Sequence, residues 1–111
     1  LQLYAGLTRR PIFVPAVGDF RQGMIDCIPL HLDTLPGKPA PADLEAVLSA
    51  RYAGSEYVHV VKADAKLEPQ ALNNTNVLEL RVHGNAARGQ AILTARYDNL
   101  GKGASGAAVQ N

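Results

Sequence analysis

Two stretches in the second half of the chain alternate between apolar and polar positions. In VLELRVHG (residues 77–84) and in QAILTARY (residues 90–97), an apolar side chain occupies every second position along most of the stretch. A period of two residues is typical of a β-strand with one buried face. The intervening GNAARG segment supplies Gly and Asn, which accept the positive φ that a hairpin turn requires. The pattern predicts a β-hairpin.

Further elements are indicated upstream. GMIDCIPLHLDTL (residues 23–35) carries apolar residues on both faces, which is typical of an interior strand covered on both sides. Pro41 opens a predicted helix with an apolar stripe, and Gly54 is placed to end it. YVHVV (residues 57–61) predicts a short strand. The predicted fold class is α+β, with a mixed, largely antiparallel sheet of at least four strands and helices on one face.

The remaining segments have weaker patterns. Residues 1–7 have apolar residues at helical spacing and predict the end of a helix. PIFVPAVGDF (residues 11–20) predicts a buried strand or extended segment leading into a loop. The polar connection from Lys62 to Asn76 has weak helical character at residues 68–72.

Composition narrows the function classes. The chain has 111 residues, which suits a single domain spanning residues 1–111, and 47% of them are apolar. The formal net charge is +1 and no basic stripe is present, so nucleic acid is not an expected partner. No apolar run approaches the ~20 residues of a membrane span. A single cysteine and no signal peptide favour the cytoplasm, and the initial Leu leads us to expect an internal piece of a longer polypeptide.

Familiar catalytic and metal-binding patterns are missing. Cys27 lies inside a predicted strand, with no glycine turn or helix start to lower its pKa, so a structural thiol is the favoured interpretation. His31, His59 and His83 also fall within predicted strands, and their spacing matches no metal site.

Two loops offer binding chemistry. Arg21 lies in DFRQGM (residues 19–24), where a Gly-flanked loop can present its guanidinium to a phosphate or carboxylate. The alternative is an ordinary exposed loop arginine. In the closing segment, Asp98 and Asn99 can cap a helix that binds an anion or a carboxamide, and the glycines that follow let a backbone or flat ligand approach. The alternative there is a weak helix packed tightly against its own sheet.

Five segments together resemble N-acetyl-γ-glutamyl-phosphate reductase of the shorter, second type. They are RRPIFVPAVGDFRQGM (9–24), PLHLDTLPGKP (29–39), YAGSEYV (52–58), LNNTN (72–76) and DNLGKGASGAAVQN (98–111). They occur in order over almost the whole chain, and the last is the most specific.

The resemblance implies an NADPH-dependent enzyme of arginine biosynthesis that reduces an acyl phosphate to a semialdehyde through a cysteine thioester. It implies that this chain is the substrate and oligomerisation half, similar to the C-terminal domain of glyceraldehyde-3-phosphate dehydrogenase, and that a Rossmann half binds most of the NADP. The family's cysteine turn and histidine motif do not occur in these residues, so we expect no catalytic residue here and no activity of the chain alone. The implied substrate-binding residues are Arg21, Gln22 and Gly23, and the implied cofactor-binding residues are Asn99, Gly101 and Lys102.

Two rival interpretations remain open. One is a domain of a related dehydrogenase for aspartate semialdehyde or glyceraldehyde phosphate, which shares the architecture and thioester chemistry. The other is a non-catalytic oligomerisation module. The coding sequence on either side would separate them, because an upstream Rossmann half with a cysteine turn would remove the last.

Overall fold

The computed structural model of the chain describes residues 3–110, and its main feature is a four-stranded mixed sheet. The strands are β1 (Met24–His31), β2 (Val58–Val60), β3 (Leu78–Asn85) and β4 (Gln90–Tyr97), in the order β1-β4-β3-β2. β4 pairs antiparallel with both β1 and β3, and β2 pairs parallel with β3. The predicted α+β class with a mixed, largely antiparallel sheet is confirmed.

β3 and β4 form the predicted hairpin. A short 3₁₀ helix (Ala86–Arg88) joins them, and the side-chain oxygen of Asn85 accepts the N–H of Arg88 at 3.2 Å. Gly89 follows with φ of 57°, a left-handed conformation that Gly adopts without steric cost. Local turn chemistry therefore closes the hairpin, as the sequence predicted.

Helix α1 (Pro41–Arg51) begins and ends near the predicted residues. The carboxylate of Asp43 accepts the N–H of Ala40 at 2.8 Å, and Gly54 has φ of 75° just beyond the helix. α1 packs against β3 and β2. Within residues 3–110, no helix combines the length and apolar character needed to cross a membrane.

The core lies between α1 and one face of the sheet. Its fully buried apolar residues are Leu32, Val82 and Ala91, from a 3₁₀ helix after β1, from β3 and from β4. Around them pack partly buried leucines of the sheet, of α1 and of the turn after β1, namely Leu30, Leu35, Leu44, Leu48 and Leu93. Since alternate strand residues point to opposite faces, the period-two pattern of the hairpin supplies this buried layer.

The structure corrects the expectation that β1 is an interior strand covered on both sides. β1 is an edge strand, and its Cys27 is exposed. Pro29, which lacks an N–H, fits an edge because no ladder hydrogen bond is needed there. The sheet face opposite α1 instead carries an ion-pair network, in which Glu79 contacts both Arg81 and Arg96.

The expectations for the N-terminal part were also wrong where the structure describes it. Residues 3–6 form a turn instead of a helix end, whereas residues 1 and 2 lie outside the described part. Residues 11–18 have no regular structure and are exposed; Ile12 is 92% and Val17 99% accessible. Pro11 and Pro15 cannot donate to a sheet ladder, which disfavours a strand in this apolar run. The weak helical signal at residues 68–72 corresponds only to turns.

Candidate functional site

The strand register brings three distant loops together at one end of the sheet. Tyr97, the last residue of β4, lies opposite Met24 on one side and Leu78 on the other. β1 and β3 therefore begin where β4 ends. The loop before β1, the LNNTN loop before β3 and the DNLGKG segment after β4 meet there. The segments predicted to bind substrate and cofactor thus lie next to each other.

Asp98 holds the three loops together. It is only 2% accessible. Its Oδ2 accepts hydrogen bonds from the N–H of Asn74 at 2.7 Å and from Nε2 of Gln22 at 3.1 Å. Its Oδ1 accepts the N–H groups of Leu100 at 2.9 Å and Gly101 at 3.1 Å. One carboxylate therefore satisfies donors from all three loops.

These hydrogen bonds also set the charge state of Asp98. The N–H groups of Asn74 and Gly101 lower the pKa of the carboxyl below its usual range, and burial opposes them only in part. The carboxylate is charged at neutral pH. Sequence reasoning treated Asp98 only as a helix cap. An aspartate at the start of a turn predicts hydrogen bonds to the N–H groups that follow it in the chain, but not to Gln22 or Asn74.

A second bridge links the loop before β1 to the turn after β4. The N–H of Gly23 donates to Oδ1 of Asn99 at 2.8 Å. In addition, Nδ2 of Asn73, in the LNNTN loop, donates to the carbonyl of Gln22 at 3.2 Å. Gly23 has φ of 111°, and a Cβ there would lie 2.5 Å from the carbonyl oxygen of Pro69. Only glycine fits this position without moving the chain.

Arg21 stands beside this bridge and is exposed. Within the described residues its guanidinium forms no ion pair and no hydrogen bond. Upstream, a Cβ at Gly18 would collide with the ring of Phe20, so the loop turns back on itself tightly. The arrangement leaves the guanidinium of Arg21 available to an anion from solution.

The glycines after Asn99 pack against the chain itself. A π-helix (Gly101–Ser105) precedes the short helix α2 (Gly106–Gln110). A Cβ at Gly103 would lie 2.8 Å from the ring of Tyr97, and one at Gly106 would collide with Oδ1 of Asn76. This close packing matches the alternative that the sequence left open for the segment, a helix pressed against its own domain.

The predicted cofactor residues differ in what they can still offer a ligand. Nζ of Lys102 donates to Oε1 of Gln110 at 2.9 Å and lies 5.5 Å from the ring centre of Tyr57. The N–H of Gly101 is bonded to Asp98. Both groups therefore have partners within the domain, and their predicted cofactor role stays a prediction. Asn99 keeps hydrogen-bonding capacity, because its Nδ2 forms no hydrogen bond within residues 3–110 and its oxygen keeps a second lone pair.

Comparison with protein families places this fold in a class. Residues 1–99 match the family described as semialdehyde dehydrogenase, dimerisation domain. The match covers most of the chain, and the chain belongs to this family.

Individual relatives narrow the class further. The N-acetyl-gamma-glutamyl-phosphate reductase of Burkholderia lata is 50% identical over 116 residues, covering 100% of this chain and 37% of the relative. N-acetyl-gamma-glutamyl-phosphate reductase 2 of Pseudomonas putida is 48% identical with the same coverage. The reductase of Chelativorans sp. is 48% identical over 118 residues, covering 100% of this chain and 38% of its own. The resemblance drawn from the sequence motifs is confirmed, and the chain spans less than two-fifths of these relatives' length.

Proposed function

We propose that this chain is the substrate and subunit-contact domain of an NADPH-dependent N-acetyl-γ-glutamyl-phosphate reductase acting in the cytoplasm. The similarity to reductases of that name over the whole chain supports the proposal. The structural observation that carries it is the exposed, unpaired guanidinium of Arg21 beside loops that are hydrogen-bonded into one unit. An acyl-phosphate substrate has the negative charge that such a group recognises.

Each residue of the site has a separate role in the proposal. Arg21 binds the phosphate or carboxylate of the substrate, and Gln22 and Gly23 fix its loop. Asn99 donates from Nδ2 to the nicotinamide carboxamide, since its Oδ1 is already oriented by Gly23. Gly101 and Lys102, in the turn that follows Asn99, contact the same cofactor. When bound, NADPH supplies the hydride, and the Rossmann half holds most of that cofactor.

Arg21→Ala in the complete enzyme tests the substrate role. Each lost charge-assisted hydrogen bond removes about 1.5–3 kcal/mol, which corresponds to roughly a tenfold to hundredfold fall in kcat/KM for the acyl phosphate. The KM for NADPH should stay nearly unchanged. Arg88→Ala, at an exposed arginine in the hairpin turn at the opposite end of the sheet, is the matched control. Equal kinetics for both variants and the parent would refute the assignment of Arg21.

The 111-residue chain alone should not turn over the substrate. Cys27 is exposed in the middle of β1, with no glycine turn or helix start next to it, so it lacks the setting of an activated nucleophile. NADPH oxidation by the isolated chain that vanished in Cys27→Ser would overturn this part of the proposal.

We further propose that the chain forms homo-oligomers through the sheet face opposite α1. At one end of that face an open groove of about 390 Å³ is lined mainly by side chains pointing away from α1, those of Pro29, His31, His83, Asn85, Gln90 and Ile92. Ile92, which is 43% accessible on the interior strand β4, and Pro29 give this groove apolar side chains. Ile92→Glu should yield monomers in sedimentation, whereas Val47→Glu on exposed α1 should not. Monomeric parent protein at high concentration would contradict the proposal.

A further inference from the structure

We infer that Asp98 is a positioning residue that couples substrate binding to cofactor binding. The inference rests on the proposed function, because it assigns residues 18–23 (the substrate loop) to the acyl phosphate and residues 98–103 (the cofactor turn) to the nicotinamide. It adds that neither segment holds its binding geometry independently of the other.

Two hydrogen bonds join the substrate loop to the cofactor turn. One runs from Gln22 to Asp98 at 3.1 Å, and the other from the N–H of Gly23 to Oδ1 of Asn99 at 2.8 Å. The two bridges involve adjacent residues on both sides. A shift of the cofactor turn therefore displaces the two residues that directly follow Arg21.

The LNNTN loop braces this junction. Its Asn74 donates its N–H to Asp98 at 2.7 Å, and Oδ1 of Asn74 accepts a hydrogen bond from Gln22 at 3.1 Å. Gln22, Asn74 and Asp98 thus form a closed triangle of hydrogen bonds. Such a triangle has fewer alternative arrangements than a single bridge, so ordering one of its loops orders the others.

Within this triangle, Asp98 cannot be replaced by a neutral side chain of the same shape without loss of hydrogen bonds. Its two oxygens accept four hydrogen bonds, two on each oxygen. An amide at this position would turn an NH₂ group toward two of those four donors, whichever way it rotated. Asp98→Asn therefore keeps the volume of the side chain and breaks one side of the junction.

Coupling of this kind has a reciprocal signature. A ligand on the substrate loop tightens the binding of a ligand on the cofactor turn, and the reverse holds by the same factor. With inorganic phosphate as the probe for Arg21, the Kd of NADPH in the complete enzyme should fall by about fivefold or more when phosphate is added, the lower end of typical couplings. The effect should disappear in Asp98→Asn and shrink in Gln22→Leu.

Two further variants separate positioning from general stability. Asp43→Asn also removes a carboxylate that accepts a backbone N–H, but in the first turn of α1, and it should retain the coupling. Adding Gln22→Glu to Asp98→Asn should recover part of it, because the introduced amide can then donate to the introduced carboxylate.

Amide hydrogen exchange of the 111-residue chain tests the junction without any ligand. Asp98→Asn should raise exchange at Gly23, Asn74 and Gly101 by about tenfold or more, and Asp43→Asn should raise it only near α1. Unchanged exchange at Gly23 in Asp98→Asn, or unchanged phosphate coupling in both Asp98→Asn and Gln22→Leu, overturns the inference. If the proposed function itself is wrong, Arg21→Ala will leave the affinity for phosphate unchanged. In that case the hydrogen-exchange measurement still decides the role of Asp98.

Discussion

Replacing Gly23 by alanine should destabilise the chain more than the same change at any other loop glycine with positive φ. Gly23 has φ of 111°, where a side chain is strained in any surroundings. Its Cβ would also lie 2.5 Å from the carbonyl oxygen and 2.9 Å from the carbonyl carbon of Pro69, and 3.1 Å from Oδ1 of Asn73. The first two contacts are to backbone, which cannot rotate away as the end of a side chain can.

The expected magnitude combines these effects. A residue held in a sparsely populated φ/ψ region costs about 1–3 kcal/mol, and overpacking against fixed atoms costs about 1–3 kcal/mol more. Any shift of the loop also weakens the 2.8 Å bond from Gly23 to Asn99, typically worth about 0.5–1.5 kcal/mol. We expect a loss of about 3–6 kcal/mol in the free energy of unfolding, which is a large part of the stability of an ordinary domain.

Gly37 provides the matched control, because its φ is 77° and a Cβ there would meet nothing within 4 Å. Gly37→Ala should cost only the backbone term, about 1–3 kcal/mol. Urea unfolding followed by circular dichroism measures both variants, with equal m-values showing that the unfolded states are comparable. If Gly23→Ala were no less stable than Gly37→Ala, the close approach of Pro69 would not constrain this loop and the reasoning would be wrong.

Other parts of the structure give further tests. Leu32→Ala removes a core side chain that is 2% accessible and should lower the free energy of unfolding in urea by about 2–5 kcal/mol. Leu7→Ala, at a side chain that is 44% accessible, should lower it far less. Equal losses would argue against the core described above. Burial and a hydrogen bond to Asp26 raise the pKa of Tyr97 to about 12. The stability that protonated Tyr97 contributes is therefore fully present below pH 10, the usual tyrosine pKa, and is lost as the pH rises through about 12. Phenolate absorbance should show a tyrosine that titrates near pH 12 and that Tyr97→Phe removes, and an unchanged titration curve would refute the assignment. Burial alone would raise the pKa of Glu79, but hydrogen bonds from two arginines lower it overall. The stability that charged Glu79 contributes is therefore present above its usual pKa of 4.5 and is lost on acidification. Glu79→Gln should flatten the acid side of a plot of stability against pH, and an unaltered acid side would contradict this.

Local signals explain why much of the fold could be predicted. The alternation in residues 77–84 and 90–97, with a Gly and Asn turn between them, lies within one hairpin and needs no information from the rest of the chain. Helix α1 is similarly bounded by Pro41 and Gly54. In both elements the packing agrees with the intrinsic preference of the residues.

Elements that depend on distant neighbours were predicted poorly. The apolar residues on both faces of β1 suggested an interior strand, yet its position in the sheet is set by pairing with β4, and one of its faces remains open. The apolar run at residues 11–18 likewise resembled a buried strand, but burial requires a covering surface, and the described part of the chain provides none. A sequence shows that such residues need cover without showing what covers them.

The site divides in the same way. Arg21 and Asn99 could be selected from their loops, because glycine turns and capping residues are local features, whereas Gln22 and Gly23 came with the family resemblance. The binding roles of all four stay predictions. The role of Asp98 could not be found in this way, since its bond to Gln22 spans 76 residues along the chain. A carboxylate that accepts hydrogen bonds from three loops can be recognised only when the register of the strands is known.

The pairing of β1 with β4 has a consequence for how the domain folds. The β3–β4 hairpin closes through a short turn, but β1 joins β4 only after the chain has closed a loop containing more than half of its residues, since Met24 pairs with Tyr97 and His31 with Gln90. Loop closure of this length slows folding, so we expect the hairpin to form early and β1 to dock late. The loop that carries Arg21 directly precedes β1 and reaches Asp98 only when β1 has docked. The site therefore forms only when β1 docks, and we expect a ligand bound across it to slow the undocking of β1 during unfolding.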